Sequence, residues 1–411
     1  MKRKIAIERK ENDLNIFIYE DGNLVEEYTE NINEERLEGN IYLGKVMNVI
    51  DGMQSAFIDI GIDKNALIHK EDLVIEKLID TETQNAKDVK MSQILKPNDS
   101  MIIQIKKDKS GTKGPKATRE IKLMGKYIIV MPYQNIKTIS KKITDESERK
   151  RIMSVLESRK IKYGIIARTL SENATDEEIN TEINELCLRW DKIREKAWKS
   201  DSPELIYNAN GILGKLLTDF DLKGLEIVTN DKETLDNIKK IINKEGDGLG
   251  DGSLFAGENA KDELYEKYIS EGKKVLKTNV DIIFDPDLKI ELERKRKIWL
   301  NCGGFITIDK TEALVAIDVN SGKFVGKDTL EKSIFKVNSE AAIEIAKEIR
   351  LLDLGGIIVI DFIDMDTEED RDEIKKIIEK EFLKDRARVQ VFEFTKLGLL
   401  EVTRKPIFVR E

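Results

Sequence analysis

The sequence predicts a mixed α+β protein assembled from several modules, and three observations predict it. Short alternating strands with glycine-containing turns fill roughly the first 120 residues. Helices and strands then alternate up to about residue 220. Towards the C-terminus, two apolar strands, EALVAIDVNSG and GIIVIDFIDM, flank one long amphipathic helix. The length, 411 residues, suits two to four domains. Apolar residues make up 40% and charged residues 36%, enough to bury sizeable cores, so a wholly disordered chain is excluded.

Lys4–Glu8 and Leu14–Ile18 alternate as strands, and Asp21-Gly22 is a hairpin signal before Leu24-Val25-Glu26. NIYLGKVMNVIDGMQSAFIDIG, beginning at Asn40, is strand-like again, with Asp51-Gly52 as a second turn. ALIHKEDL follows as a short strand. Residues 74–95 are polar with a helical character and read as an insertion. Pro97-Asn98-Asp99 turns the chain into the strand MIIQIKKD and the loop KSGTKGPKA. These short strands predict a small closed barrel from about residue 40.

Further on, IKLMGKYIIVMPY is a strand region, ESERKRIMSVLESRK a helix with Ile152, Val155 and Leu156 on one face, and YGIIARTL a strand. Asp176 to Ala197 is a long charged helix. LKGLEIVTN and ETLDNIKKIIN form a β–α pair. KEGDGLGDGSLFAGEN reads as a loop rather than a phosphate cradle, because no strand leads directly into it and no Lys-Ser/Thr closes it. Leu330, Ile334, Val337, Ala341, Ile345, Ile349 and Leu352 share one helical face, with Gly355-Gly356 as the expected stop. GIIVIDFIDM is apolar enough to predict a strand covered on both faces. The helix EEDRDEIKKIIEKEFLKD and the strand RVQVFEF follow.

Composition excludes several function classes. Two cysteines, Cys187 and Cys302, rule out a disulfide scaffold or a four-thiolate zinc site within the chain. One histidine, His69, rules out multi-histidine metal sites. The start has no apolar signal region, and no run approaches the roughly eighteen apolar residues of a membrane span, so the expectation is a cytoplasmic protein with no membrane span. The formal net charge of −9 argues against nucleic acid only as a chain-wide sum.

The sharpest chemistry lies in AIDVNSG and VIDFIDM. A strand–helix–strand crossover makes the two strands parallel, so Asp318 and Asp361 reach corresponding ends of neighbouring strands, roughly 5 Å apart if adjacent. Two carboxylates that close repel unless a cation lies between them. Mg²⁺ suits the pair, because it takes oxygen ligands and commonly uses one or two carboxylates. Asn320 points to the same side as Asp318 if the strand continues, and Asp364 is a third acid nearby. Such a centre suits phosphodiester hydrolysis without a side-chain nucleophile. On spacing alone the alternative stands: strand-end aspartates often only cap the loops that follow.

Lys106, Lys107, Lys109, Lys113, Lys116, Arg119 and Lys122 face only Asp108 and Glu120 within residues 106–122. A lysine-rich loop beside a small barrel suits the tracking of a single strand, and Phe57 on a barrel strand could stack on a base. A solvated loop and a core phenylalanine are the competing readings. Arg168-Thr169 and Arg388, at strand ends, could fork a terminal phosphate, or they could serve surface ion pairs.

Taken together, NIYLGKVMNVIDGMQSAFIDIG, GIIARTL, EALVAIDVNSGKFVGK, IRLLDLGGIIVIDFIDM and KDRARVQVFEFTKLGLLEVTRK resemble the ribonuclease E/G family, in order, from about residue 1 to residue 405. The resemblance implies a bacterial Mg²⁺-dependent endoribonuclease that cuts single-stranded, A/U-rich RNA to 5′-phosphate and 3′-hydroxyl ends. It implies Asp318 and Asp361 as catalytic metal ligands supported by Asn320. It further implies an RNase H-like subdomain at residues 1–38 and 222–293, split by an OB-fold RNA-binding module at 39–119 and a 5′-sensor module at 120–221. A deoxyribonuclease I-like nuclease subdomain would follow at 294–411. The sensor positions it carries over are Gly125, Ile129, Arg168, Thr169 and Arg388. The RNA-contacting positions are Phe57, Lys107 and Lys113.

Three departures qualify the match. Leu67 stands where a second barrel aromatic is expected, so weaker stacking is expected there. The insertion at 74–95 has no assigned role. The Cys-x-x-Cys pair through which family members share a zinc between subunits is absent before Glu411, so zinc is not expected and a homo-oligomer stays open. The alternative function is a non-catalytic RNA-binding protein using the OB-fold.

Overall fold

A computed structural model describes residues 2–34, 36–74, 89–109, 111–158, 161–220, 222–242, 280–292, 296–322 and 330–408. Most of the expected insertion at 74–95, and all of the glycine-rich stretch KEGDGLGDGSLFAGEN, lie outside the described residues.

In chain order the strands are β1 (Arg3–Lys10), β2 (Asp13–Glu20), β3 (Asn23–Asn31), β4 (Ile41–Ile50), β5 (Ser55–Asp59), β6 (Ala66–His69), β7 (Ser100–Lys107), β8 (Lys116–Thr118), β9 (Leu123–Met124), β10 (Ile128–Met131), β11 (Lys137–Ile139), β12 (Gly164–Ala167), β13 (Glu204–Tyr207), β14 (Leu225–Thr229), β15 (Asp281–Phe284), β16 (Lys297–Trp299), β17 (Phe305–Lys310), β18 (Leu314–Asn320), β19 (Gly356–Asp361), β20 (Arg388–Phe394) and β21 (Leu399–Lys405). The helices are α1 (Met91–Ile94), α2 (Glu146–Glu157), α3 (Asp176–Lys199), α4 (Gly211–Asp219), α5 (Lys232–Ile242), α6 (Leu330–Leu351) and α7 (Glu368–Phe382). The chain divides into two compact units: Met1–Asn33 with Gly224–Lys232 and Val280–Glu411, and Glu34–Lys223 with Glu233–Asn279.

The first unit holds two sheets. One has the order β15-β14-β1-β2-β3. Its first three strands in sequence are antiparallel, and β14 and β15 run parallel to β1. The other has the order β16-β17-β18-β19-β21-β20. Its core joins Ile306, Ile317, Ile358, Ile360, Leu400 and Val402 to the apolar faces of α6 and α7. The helices cover only one face. β19 is therefore not sheathed on both sides as its apolar run predicts: Ile358 and Ile360 are buried, while Ile357 is 53% exposed and Asp361 faces outward. The alternation comes from the pleat, which sends successive side chains to opposite faces whatever their hydrophobicity.

The stop of α6 is also not the expected glycine pair. Asp353 adopts a left-handed conformation, φ 48°. The Leu354 N–H donates to Ile349 O and the Asp353 N–H to Arg350 O, a Schellman arrangement with aspartate where glycine usually stands. The Asp353 carboxylate explains the choice. It is buried and accepts from Arg404 Nη1 at 2.7 Å and from the Ile407 and Phe408 N–H groups.

The second unit contains a five-stranded closed barrel of OB-like form. Its strands run β4-β5-β6-β8-β7, and β4 pairs with β7 to close it. The strand β4 is long enough to do both jobs: Ile41–Lys45 pair with β7, and Lys45–Ile50 with β5. Where the partners change, Gly44 leaves no room for a side chain, since a Cβ would lie 2.4 Å from Ile58 Cγ2. Val46, Ala56, Ile58, Ala66, Ile68, Ile103, Ile105 and Ala117 fill the interior. Asp51-Gly52 opens a short 3₁₀ turn, Asp51–Met53, and left-handed Gln54 completes it. Beside the barrel strands, β11-β12-β10-β9 form a small sheet packed with α2 and α3. Asp145 caps α2, and Thr175 caps α3 in a capping box with Glu178. Among the described residues no helix is long and apolar enough to cross a membrane.

Candidate active site

The open face of the six-stranded sheet brings the two aspartates together. In the parallel pair β18–β19, Asp318 stands directly opposite Asp361. Thr307 lies opposite Asp318 on the other side, and Lys297 opposite Thr307. These residues form one row across the sheet, because opposed residues on paired strands share a face. Asn320 lies two residues along on the same face, and its Nδ2 donates to Asp318 Oδ2 at 2.5 Å. Partial burial raises the Asp361 carboxyl above the usual carboxylate range, and the charges of Asp318 and Asp364 raise it further. Among the described residues, no group of three or more His, Cys, Asp or Glu side chains is arranged to hold a metal. Any ion here would rest on the two-carboxylate pair, with its remaining positions taken by water or substrate oxygen.

The barrel brings a second set together. Asn48, Phe57, Leu67, Lys116 and Lys107 are successive partners across β4, β5, β6, β8 and β7. They form one outward row. Phe57 and Leu67 are half-buried, while Lys116 and Lys107 are exposed at one end. Lys116 therefore belongs with Phe57 and Lys107, which sequence reading left as one lysine among several. Lys113 is exposed on the loop between β7 and β8. That loop is tied to its neighbour by Lys64 Nζ donating to Gly111 O at 2.6 Å. The local lysine surplus is smaller than the segment alone suggests. Lys106 pairs with Asp72 at 2.9 Å and Lys109 with Asp63 at 3.3 Å, both acids supplied from outside the segment. Asp108 meanwhile accepts from the Leu37 and Glu38 N–H groups. No ion pair is formed by Lys107, Lys113 or Lys116 among the described residues.

Gly125, Ile129, Arg168 and Thr169 converge around β9, β10 and β12. Ile129 is half-buried on β10, opposite Ile166. Arg168 donates through Nη1 to Gly125 O at 2.6 Å and through Nη2 to Asp219 at 2.5 Å. Thr169 Oγ1 lies 3.0 Å from Ser140 Oγ. Arg388 belongs to the other compact unit, exposed at the first position of β20.

Two residues of this region escaped sequence reading. Asp219 holds Arg168. Glu182, on α3, accepts from the backbone N–H groups of Lys126, Tyr127 and Ile128, each at 2.7 Å. Burial raises its carboxyl even against those three donors. A Cβ at Gly125 would meet that carboxylate at 2.5 Å, so any side chain there would displace Glu182 from its three donors. A signal for Glu182 was present: it is an acid beside the apolar stripe of Ile179, Ile183, Leu186 and Trp190.

Comparison with known proteins gives this geometry a context. Ribonuclease G of Haemophilus influenzae is 33% identical over 398 residues, 96% of this chain and 77% of its own length. Ribonuclease G of Escherichia coli K12 is 33% identical over 396 residues, 94% of this chain and 76% of its own. Ribonuclease E of a Nostoc species is 32% identical over 371 residues, 89% of this chain and 51% of its own. The family model described as "Ribonuclease E/G family" matches residues 122–407, a span that takes in the acid row as well as the Arg168 cluster. A match of that extent, with relatives aligned along nearly the whole chain, means that this protein belongs to the ribonuclease E/G family.

Proposed function

We propose that this protein is an endoribonuclease of RNA processing and decay, whose hydrolytic centre is the Asp318–Asp361 pair supported by Asn320. The observation that carries the proposal is the register of β18 and β19, which sets the two carboxylates side by side on an open sheet face. The donor set fits Mg²⁺: two hard oxygen ligands of like charge, one with its proton affinity raised by partial burial and then by the charge of the other. When bound, the ion supplies Lewis acidity that stabilises charge building on the scissile phosphate. Asp318 and Asp361 are the residues that would hold it. Asn320 fixes the orientation of the Asp318 carboxylate through its Nδ2 hydrogen bond. Water attacks phosphorus, the bond to the 3′ oxygen breaks, and that oxygen takes a proton. The products carry 5′-phosphate and 3′-hydroxyl ends.

In the same reading the barrel row at Phe57, Lys107 and Lys116, with Lys113 on its loop, tracks single-stranded A/U-rich RNA. The cluster of Gly125, Ile129, Arg168 and Thr169 senses a 5′-monophosphate. The subdomains follow. Residues 1–38 and 222–293 are RNase H-like, a reading supported by three antiparallel strands with two more parallel to the first. Residues 39–119 are the OB-fold module, 120–221 the sensor module and 294–411 the deoxyribonuclease I-like nuclease subdomain.

The test is direct. Asp318→Asn and Asp361→Asn should each lower cleavage of a 5′-labelled single strand in Mg²⁺ by at least about 100-fold. RNA affinity should stay within about threefold. Unimpaired cutting by either variant rules the centre out. Binding without turnover by the parent at every divalent-metal concentration would make the protein an RNA-binding module instead.

A further inference from the structure

The acid row does not have the open sheet face to itself. Trp299 on β16 lies opposite Phe305 on β17, and Phe305 lies opposite Asn320 on β18. By the same register rule, Trp299, Phe305 and Asn320 form the row next to Lys297, Thr307, Asp318 and Asp361. The two rows are one two-residue step apart, roughly 7 Å, and the aromatic pair lies roughly 8–12 Å from Asp318. Trp299 is 58% exposed. It and Phe305 are absent from the core, to which the same strands contribute Ile298 and Ile306 from the opposite face. Their ring centroids are 5.2 Å apart, tilted by 58°. Lys297 Nζ lies 4.5 Å from the Phe305 ring centroid. An exposed indole costs hydration unless something covers it, and here the Phe305 ring beside it carries a cation on the face that bears the acid pair.

We infer that Trp299 and Phe305 form a stacking platform for an RNA base next to the scissile phosphate, with Lys297 contacting the neighbouring phosphate. The inference rests on the nuclease reading for its substrate. RNA is the occupant chosen because the patch combines aromatic faces with a lysine and is continuous with the proposed hydrolytic centre. Stacking is indifferent to base identity, so the platform would seat the strand without reading its sequence.

The experiment uses the full chain and two single-stranded RNAs cut at one position, one natural and one carrying an abasic nucleotide beside that position. Trp299→Leu should lower kcat/KM about tenfold on the natural RNA, chiefly through KM, and change it less than about twofold on the abasic RNA. Tryptophan fluorescence should be quenched when a short oligoribonucleotide is added without divalent metal, and Trp299→Leu should remove most of that quenching. Equal losses on both RNAs, or unchanged kcat/KM with unchanged quenching, overturn the platform. A solution mass that falls from dimer to monomer in Trp299→Leu also overturns it, by assigning the patch to a second copy of the chain. If the parent cuts neither RNA but the quenching depends on Trp299, the nuclease reading fails and the platform stands.

Discussion

Asp361 is the residue whose environment has the clearest chemical consequence. Its carboxyl is raised by partial burial, then by Asp318 and Asp364. A raised carboxyl takes up its proton at a higher pH than an ordinary one, and the protonated form cannot ligate a cation. The apparent Mg²⁺ requirement for cleavage should therefore increase as pH falls, beginning above the ordinary carboxylate range. Asp364→Asn removes one of the charges that raise Asp361, so the increase should begin at lower pH in that variant. Half-saturating Mg²⁺ measured as a function of pH checks both statements, and identical profiles for parent and variant would refute the coupling. Charge also has to be judged residue by residue on the barrel. Lys106 and Lys109 are largely neutralised by partners remote in sequence, while Lys107 and Lys116 stand at one end of the Phe57 row.

At the scale of elements, α3 does more than cover its sheet. Its apolar stripe buries Ile179, Ile183, Leu186, Trp190 and Ile193, while Glu182 reaches into the turn between β9 and β10 and binds three successive N–H groups. The turn that carries Gly125 is thereby fixed, and Gly125 O in turn receives Arg168. Glu182 is a positioning residue for the proposed sensor. Glu182→Gln substitutes an N–H₂ group for one acceptor oxygen, so at least one backbone donor is left facing a donor. RNA with a 5′-monophosphate should be cut faster than the same RNA with a 5′-hydroxyl by the parent. In Glu182→Gln that ratio should fall severalfold while the rate on the 5′-hydroxyl RNA is kept. A ratio unchanged by the substitution would separate Glu182 from sensing. Equal rates in the parent would remove the sensor itself and leave the hydrolytic centre untouched. The end of α6 teaches a similar lesson: Asp353 accepts a left-handed backbone because its carboxylate is needed inside.

On the scale of the whole molecule, buried charge ties distant parts of the first compact unit together. Arg404 bonds Asp353 and Asp385, all three nearly inaccessible to water. Glu26 on β3, 1% exposed, accepts from Arg350 of α6, from Arg386 and from the Tyr28 hydroxyl. The N-terminal sheet is thus joined to α6 and to the segment that leads into β20 through residues more than 300 positions away in the chain. Burial, and then the charge of Glu26, raise the Tyr28 hydroxyl, so it stays a donor at any ordinary pH. Removing one member of such a network leaves charge buried without a partner. Arg404→Met should cost about 3–5 kcal/mol and lower the melting temperature by roughly 6–20 °C. A thermal melt of the metal-free protein measures this, and a shift under about 2 °C would mean that the network contributes little.

Local periodicity and motif spacing determined much of this protein by themselves. The barrel strands, the long helices, the crossover and the convergence of Asp318 with Asp361 were all legible, because each depends on short-range pattern or on the handedness of one connection. The tertiary structure alone decided which face of each strand meets water. A run such as GIIVID is apolar on both sides of the pleat, and only the packing of α6 and α7 on one face leaves the other open. It also decided the partners of charged groups. Glu182, Asp219, Arg404 and the acids that neutralise Lys106 and Lys109 act across tens to hundreds of residues, and no local spacing encodes a bond formed only after the chain has folded.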